Sequence, residues 1–168
     1  MRRCLDGLTA SEANLKLLQE KTLLLERTII AVNEAENMDA AFFAVLWKIC
    51  SATDWVYGEV WVPRPDGKLL ERSPVWYGTA AGLGDFSAMS EGLRFAPGEG
   101  LPGRAWSSKK HVWIKDVTQD ENFQRARAAK EAGIKTELAV PVLAKDETLA
   151  VLVFYPKSCN WPQMHCLI

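Results

Sequence analysis

Apolar positions change their spacing several times along the chain, and each change marks an element. Leu15, Leu18, Thr22, Leu25, Ile29 and Val32 recur at alternating steps of three and four. That is a heptad seam with one polar position, and it predicts a helix from about Ser11 to Ala35. Leu17, Leu23, Leu24 and Ile30 widen the apolar surface, while Glu20, Lys21, Glu26 and Arg27 surround it with charge. Ser11 is the expected N-cap, with Asn14 where a capping box usually has Glu. Two readings fit the seam. It joins two copies of the chain in a parallel coiled coil, with Leu15, Leu18, Leu25, Ile29 and Val32 at the dimer interface, or it lays one amphipathic helix on its own domain. Asn37-Met38-Asp39 breaks the segment, and Asp39 is placed to cap a second helix. Phe42, Val45, Leu46, Ile49 and Cys50 share one face of that helix, which ends near Thr53.

The period then falls to two. Trp55, Tyr57, Glu59 and Trp61 alternate with Val56, Gly58, Val60 and Val62, so Trp55 and Trp61 are expected on one strand face. Pro63-Arg64-Pro65-Asp66-Gly67 is a turn, and Lys68 to Tyr77 returns as the second strand of a hairpin. Pro74 has no N–H for a ladder, which argues for an edge. Gly78 to Ser90 reads as a small-residue loop. In the Gly- and Pro-rich stretch that follows, Pro102 suits the first turn of a short helix reaching about Ser108. His111 to Lys115 reads as a short strand. Asp120-Glu121-Asn122 opens a helix carrying Phe123, Ala126, Ala129 and Ala132, and Gly133 ends it. Glu137 to Leu143 and Thr148 to Tyr155 are strands joined by Ala144-Lys145-Asp146-Glu147. Leu149 to Phe154 is apolar throughout, so that strand is expected at the centre of the sheet. Lys157 to Ile168 has no clear period. The element order is α+β, an antiparallel sheet with helices on it.

Composition narrows the function. The 168 residues suit one domain with an additional helix, and 48% hydrophobic against 24% charged residues implies a packed core. Twenty Lys+Arg against 21 Asp+Glu leave a net charge of -1, which offers no general attraction to nucleic acid or an anionic membrane. No run approaches the ~20 apolar residues of a membrane span, and no apolar signal core follows Met1-Arg2-Arg3-Cys4. The expected compartment is the cytoplasm. Cys4, Cys50, Cys159 and Cys166 form no CxxC pair, so no disulfide framework is expected. Cys159, His165 and Cys166 lack the number and spacing of a metal site. Gly98, Gly100 and Gly103 match G-x-G-x-x-G, yet no buried parallel strand precedes them and no long crossover helix follows, so a dinucleotide site is not expected. A helix start beside Arg104 could still hold a small anion. Two histidines and no GxSxG supply no nucleophile with its base, so no catalytic residue is expected.

Five segments in order carry a family resemblance: Pro97-Gly98-Glu99-Gly100-Leu101-Pro102-Gly103-Arg104-Ala105-Trp106, Trp113-Ile114-Lys115-Asp116-Val117, Asn122-Phe123-Gln124-Arg125-Ala126, Ala132-Gly133-Ile134 and Ala139-Val140-Pro141-Val142. Together they resemble the successive motifs of GAF domains, small-molecule-sensing and dimerising modules common in bacterial sensor histidine kinases. The resemblance runs from about Asp39 to Tyr155. It implies a five- or six-stranded antiparallel sheet with helices on one face and a ligand pocket on the other. It divides the chain into a signalling helix (1–36), a GAF-like domain (37–156) and a tail or truncated helix (157–168).

The implied role is sensory rather than catalytic. The chain would dimerise through its N-terminal helix and report an unidentified small molecule to an output domain outside the chain, in a two-component phosphorelay. Members that bind bilin covalently carry a cysteine in or beside the helix matching Asn122 to Ala132, and no cysteine lies between Cys50 and Cys159. The cyclic-nucleotide signature is missing in order. Haem needs an axial ligand, and His111, sharing a strand side with Trp113 and Lys115, reads as a solvated histidine. Free-methionine sulfoxide reductases share the fold but need cysteines around the pocket that this spacing does not supply. The seven tryptophans either fill the core or line an aromatic cavity. In the second case Trp76, Trp106, Phe123 and Arg125 form the wall, and Arg104 and Lys135 hold an anionic ligand. A ligand-free dimerisation module, its pocket filled by Trp and Phe, is the alternative.

Overall fold

The computed structural model describes residues 2–53, 55–79 and 83–156. Helix α1 spans Arg2–Asn33. It runs through Ser11, which is therefore interior and not a cap. Helix α2 spans Met38–Ala52, and its N-cap is Asn37, whose side chain accepts from Ala40 N at 2.9 Å. Asp39, the expected cap, lies instead in the first turn, where its charge still suits the helix dipole.

Helix α1 carries two heptad-like stripes. Leu17, Lys21, Leu24, Thr28 and Ala31 are half-buried, and α1 packs on α2. The seam of Leu15, Leu18, Leu25, Ile29 and Val32 is turned away from that contact and lies open, with Leu25 61% exposed. Thr22, its polar member, donates to the Leu18 carbonyl at 2.9 Å and so needs no partner across an interface.

The strands are β1 (Trp55–Pro63), β2 (Leu70–Gly78), β3 (Arg94–Phe95), β4 (Val112–Ile114), β5 (Glu137–Ala144) and β6 (Glu147–Pro156). They form one antiparallel sheet in the order β3-β2-β1-β6-β5-β4. As the apolar run required, β6 is central. It is joined to β5 by a two-residue turn in which Lys145 and Asp146 both take positive φ, the twist that suits a tight hairpin. Pro74 is accommodated by a bulge: Trp76 pairs with Glu59 and Arg72 with Trp61, so three residues of β2 stand against Val60 alone. β2 is not an edge strand along its whole length, since β3 covers Leu70 and Glu71.

A second bulge corrects the face assignment of β1. Trp55 pairs with Pro156 and Tyr57 with Tyr155, so Val56 is the extra residue. Trp55 consequently packs with Phe42, Leu46 and Cys50 of α2 on the outer face, whereas Tyr57 and Trp61 point to the inner face. The stretch read as a loop holds a six-residue helix, α3 (Leu83–Ala88), that buries Leu83 and Phe86. Helix α4 spans Gly100–Ser108. The predicted helix from Asp120 is shorter than expected: turns precede α5 (Ala126–Glu131), which ends before Gly133 at φ +69°. Helices α3, α4 and α5 cover the inner face of the sheet, opposite α2.

Candidate functional site

The inner face carries polar groups where a core is normally apolar. Tyr57, Glu59 and Trp61 alternate on β1, Tyr155 lies beside them on β6, and Glu137 opens β5. Leu83 and Phe86 of α3, Leu101 and Ala105 of α4, and Phe123, Ala128, Ala129 and Ile134 of the β4–β5 connection close over this face. Glu59 and Glu137 have no solvent exposure, and Arg125, at the N-cap of α5, is 5% exposed.

Arg125 joins the two carboxylates. Its Nη2 lies 2.8 Å from Glu59 Oε1 and 3.6 Å from Glu137 Oε1. The same nitrogen donates to the Tyr155 hydroxyl, and Nη1 donates to Ser90 Oγ. The guanidinium sits among rings, with its carbon 4.7 Å from the Phe86 centroid, 5.6 Å from Tyr155 and 5.9 Å from both Trp61 and Phe123. Glu59 also accepts from Trp61 Nε1 and the Tyr57 hydroxyl, each at 3.1 Å. Arg72 completes that side: its Nε is 3.4 Å from Glu59 Oε2, and its Nη2 donates to Ser87 Oγ and the Tyr57 hydroxyl. The Tyr155 hydroxyl lies 2.6 Å from Glu137 Oε1 and 3.1 Å from Glu59 Oε1, so its single proton favours Glu137. Glu137 Oε2 is buried and has no hydrogen-bond partner among the described residues.

The two carboxylates titrate in opposite directions although both are buried. Burial alone would raise Glu59, but Arg125, Arg72 and the Trp61 hydrogen bond outweigh it, and its carboxyl lies below its ordinary value. Burial pushes Glu137 up to about 7, because Arg125 and Tyr155 oppose it incompletely and the Glu59 charge adds to it. Tyr155 is raised, first by burial and then by the neighbouring carboxylates, so it stays a neutral hydroxyl. The arrangement can hold charge in a dry interior. It offers no activated nucleophile, and among the described residues no group of His, Cys, Asp or Glu is poised for a metal ion.

The glycine-rich turn holds the cover in place. Gly103 permits the turn to close: a Cβ there would stand 2.2 Å from the Ala96 carbonyl oxygen. Gly98 N bonds to the Gly103 carbonyl at 2.8 Å. Asn122 then ties this turn to the β4–β5 connection, accepting from Gly100 N at 3.1 Å and donating to the Gly98 carbonyl at 3.2 Å. Gln124 donates to Glu99 at 2.7 Å, and Arg104 pairs with Asp120 at 2.8 Å. The G-x-G-x-x-G turn and the Asn-Phe segment are thus two halves of one latch. The chain's own acceptors take Gly100 N and Arg104, the groups that suggested a small-anion site.

The six residues expected around a pocket separate in the structure. Arg125 is the centre of the buried cluster, and Phe123 is one of its rings. Trp106 is half-buried against the inner core, and Trp76 is 37% exposed, with its ring 5.8 Å from that of Tyr57. Arg104 lies on the latch, and Lys135 is exposed, contributing its carbonyl to Val117 N. His111 is exposed just ahead of β4, and the Cys159, His165 and Cys166 tail falls outside the described residues. Sequence reasoning missed Glu59, Glu137, Tyr57, Tyr155 and Arg72. The legible signal was Glu59 itself, a carboxylate alternating with aromatics on a strand whose other face is apolar.

The sequence model described as the GAF domain matches residues 35–165. Among curated proteins, the chain is 40% identical over 60 residues to the truncated basic helix-loop-helix protein A of Pisum sativum, covering 34% of this chain and 17% of that one. It is 39% identical over 66 residues to the anthocyanin regulatory Lc protein of Zea mays, covering 36% of this chain and 11% of that one. The chain therefore spans less than a fifth of the length of these relatives. Similar solved structures include the A. aeolicus nlh2 GAF domain in an inactive state, at TM-score 0.71 and 14% identity, covering 89% and 86% of the two chains. The GAF domain of a Coxiella burnetii phosphoenolpyruvate-protein phosphotransferase follows at TM-score 0.69 and 18% identity, covering 84% and 80%. Free methionine-R-sulfoxide reductase from Neisseria meningitidis, solved with its substrate, is similar at TM-score 0.66 and 16% identity, covering 90% and 82%.

Proposed function

The chain belongs to the GAF domain family, and on that premise we propose that it is a sensory module which encloses a small ligand over the inner face of its sheet. In this reading it pairs with a second copy through α1 and passes the change to an output domain of the same protein. The observation that carries the ligand reading is the charged interior. A buried ion pair is weak support for stability, because apolar side chains of the same volume often do as well or better. Two buried carboxylates around one guanidinium therefore favour recognition over packing as their purpose. The open seam Leu15, Leu18, Leu25, Ile29 and Val32 supports the pairing, since those side chains are 37–61% exposed among the described residues.

We read the module as non-catalytic. The GAF-fold reductases show that the fold itself permits an enzyme. Here Cys50 is buried on the outer face, and burial pushes its thiol up to about 12, far from a reactive thiolate. A covalent bilin is not part of the reading, because no cysteine accompanies the Asn122 segment. The proposed setting is a cytoplasmic phosphorelay protein; no helix among the described residues is long and apolar enough to cross a membrane. A second reading, favoured by the Arabidopsis thaliana protein described as a transcription factor, 37% identical over 60 residues, places the output on transcription.

The test is a thermal-shift screen of the whole chain against nucleotides, amino acids, amines, anions and metabolites. A saturable rise in midpoint from one class supports the sensor. No shift from any class replaces it with a ligand-free dimerisation module. Light scattering checks the pairing: a dimer mass is expected, and a monomer at all accessible concentrations removes it.

A further inference from the structure

We propose that the inner cage is a binding site for a small organic cation, a guanidinium or primary ammonium on a short alkyl arm, and that Arg125 is a tethered occupant which this ligand displaces. The inference rests on the sensory reading and names its ligand class. The cage has the chemistry of a cation site, with two fully buried carboxylates and four aromatic rings around one planar cation. The chain itself supplies that cation.

Cage and occupant differ in how firmly they are built. Glu59, Tyr57 and Trp61 stand on β1, Glu137 on β5 and Tyr155 on β6, in the middle of the sheet. Arg125 stands on the β4–β5 connection, whose regular structure is the six-residue α5. The later part of that connection is anchored in the inner core by Ala128, Ala129 and Ile134, but residues 119–125 bury only Phe123 beside Arg125 and are otherwise fastened by the polar pairs Asn122–Gly98, Asn122–Gly100, Gln124–Glu99 and Arg104–Asp120. Contacts of this kind open at low cost compared with strands in a core.

Arg125 also leaves part of the site unused. Glu137 Oε2 is buried without a hydrogen-bond partner among the described residues. A ligand with a further donor satisfies it. Once Arg125 swings out, Arg72 is the guanidinium left in contact with the cage among the described residues; it reaches Glu59 at 3.4 Å and makes no ion pair with Glu137. A cation in that place pairs both carboxylates as Arg125 did, whereas an anionic or neutral ligand leaves Glu59 to Arg72 and forces Glu137 to take up a proton. Arg72 also lines a surface groove of about 360 Å³ with Glu71, Glu91 and Arg94, so the cage lies one side chain away from an open cleft.

Agmatine is the probe, in buffers matched for ionic strength with sodium chloride, and sodium acetate is the control. A tethered competitor lowers apparent affinity, and its removal raises it. The Arg125→Gly chain is expected to melt below wild type and to be restored by agmatine but not by acetate. Its apparent affinity for agmatine is expected to be at least tenfold above that of wild type. In wild type, agmatine is expected to speed amide hydrogen exchange over residues 119–125 and to slow it in β1 and β5. A folded Arg125→Gly chain that answers agmatine no better than sodium chloride overturns the proposal. If that variant does not fold, an unchanged wild-type exchange pattern at saturating agmatine overturns it equally. Failure of agmatine beside a shift from anions or nucleotides removes the cation assignment and keeps the sensor; failure of every class removes both.

Discussion

Glu137→Gln isolates the charge balance of the interior. In the unfolded chain a glutamate ionises near its ordinary value of 4.5, while in the folded protein burial holds Glu137 at about 7. Between those values the folded state keeps a proton that the unfolded state has released. Stability therefore falls as pH rises through this window, by up to about 1.4 kcal/mol per pH unit. The full effect is about 3 kcal/mol, reached just above pH 7. For a chain of this length that is roughly 10 °C in midpoint. The assay is urea unfolding at pH 5, 6, 7 and 8 for wild type and Glu137→Gln. Wild type is expected to lose stability along the series, the variant to stay nearly level, and the variant to be the more stable at pH 8. The depressed Glu59 acts the other way and lower down, losing its contribution as pH falls below about 4.5, outside the series. Parallel profiles for the two proteins would refute the reasoning, since they mean that Glu137 is ionised and fully paired across the range.

Arg125→Met strands both carboxylates and is expected to cost about 3–5 kcal/mol at pH 8. The loss should be smaller at pH 5, where Glu137 takes a proton, and an equal loss at both pH values in urea unfolding contradicts the assignment. Gly103→Ala drives a Cβ against the Ala96 carbonyl oxygen at 2.2 Å, so denaturation should show a loss of about 2–3 kcal/mol; an unchanged midpoint means the turn is not closed there. Asn122→Ala cuts the latch, costing about 1 kcal/mol. Its effect on amide exchange should concentrate in residues 119–125, and a uniform effect over the chain argues against a latch. Leu25→Glu changes a residue 61% exposed on α1, so the fold should persist by circular dichroism while the dimer mass in light scattering falls to that of a monomer. Retention of the dimer moves the interface elsewhere.

Local pattern alone determined much of the architecture. The stepping of Leu15 to Val32 specified a helix because side chains three and four apart share a face whatever the helix packs on. Alternation from Trp55 and the turn at Pro63 to Gly67 specified a hairpin for the same local reason. The unbroken apolar run of Leu149 to Phe154 placed β6 at the centre, because only a strand covered on both faces tolerates it. Tertiary structure decided what local pattern does not encode. A single extra residue at Val56 sent Trp55 and Trp61 to opposite faces, and the energy of that bulge depends on β6, which lies almost a hundred residues away. The α1 seam reads the same whether α1 lies on α2 or against another chain, and the fold uses a neighbouring stripe for α2. The site itself is the clearest case. Glu59, Arg125, Glu137 and Tyr155 come from four separate segments; Arg125 is expected at a pocket wall and Glu59 stands out among aromatics, yet nothing local says that the four meet. Their meaning is Coulombic and depends on distance and on the absence of water, and only the closed sheet brings two carboxylates and one guanidinium within 4 Å in a dry interior.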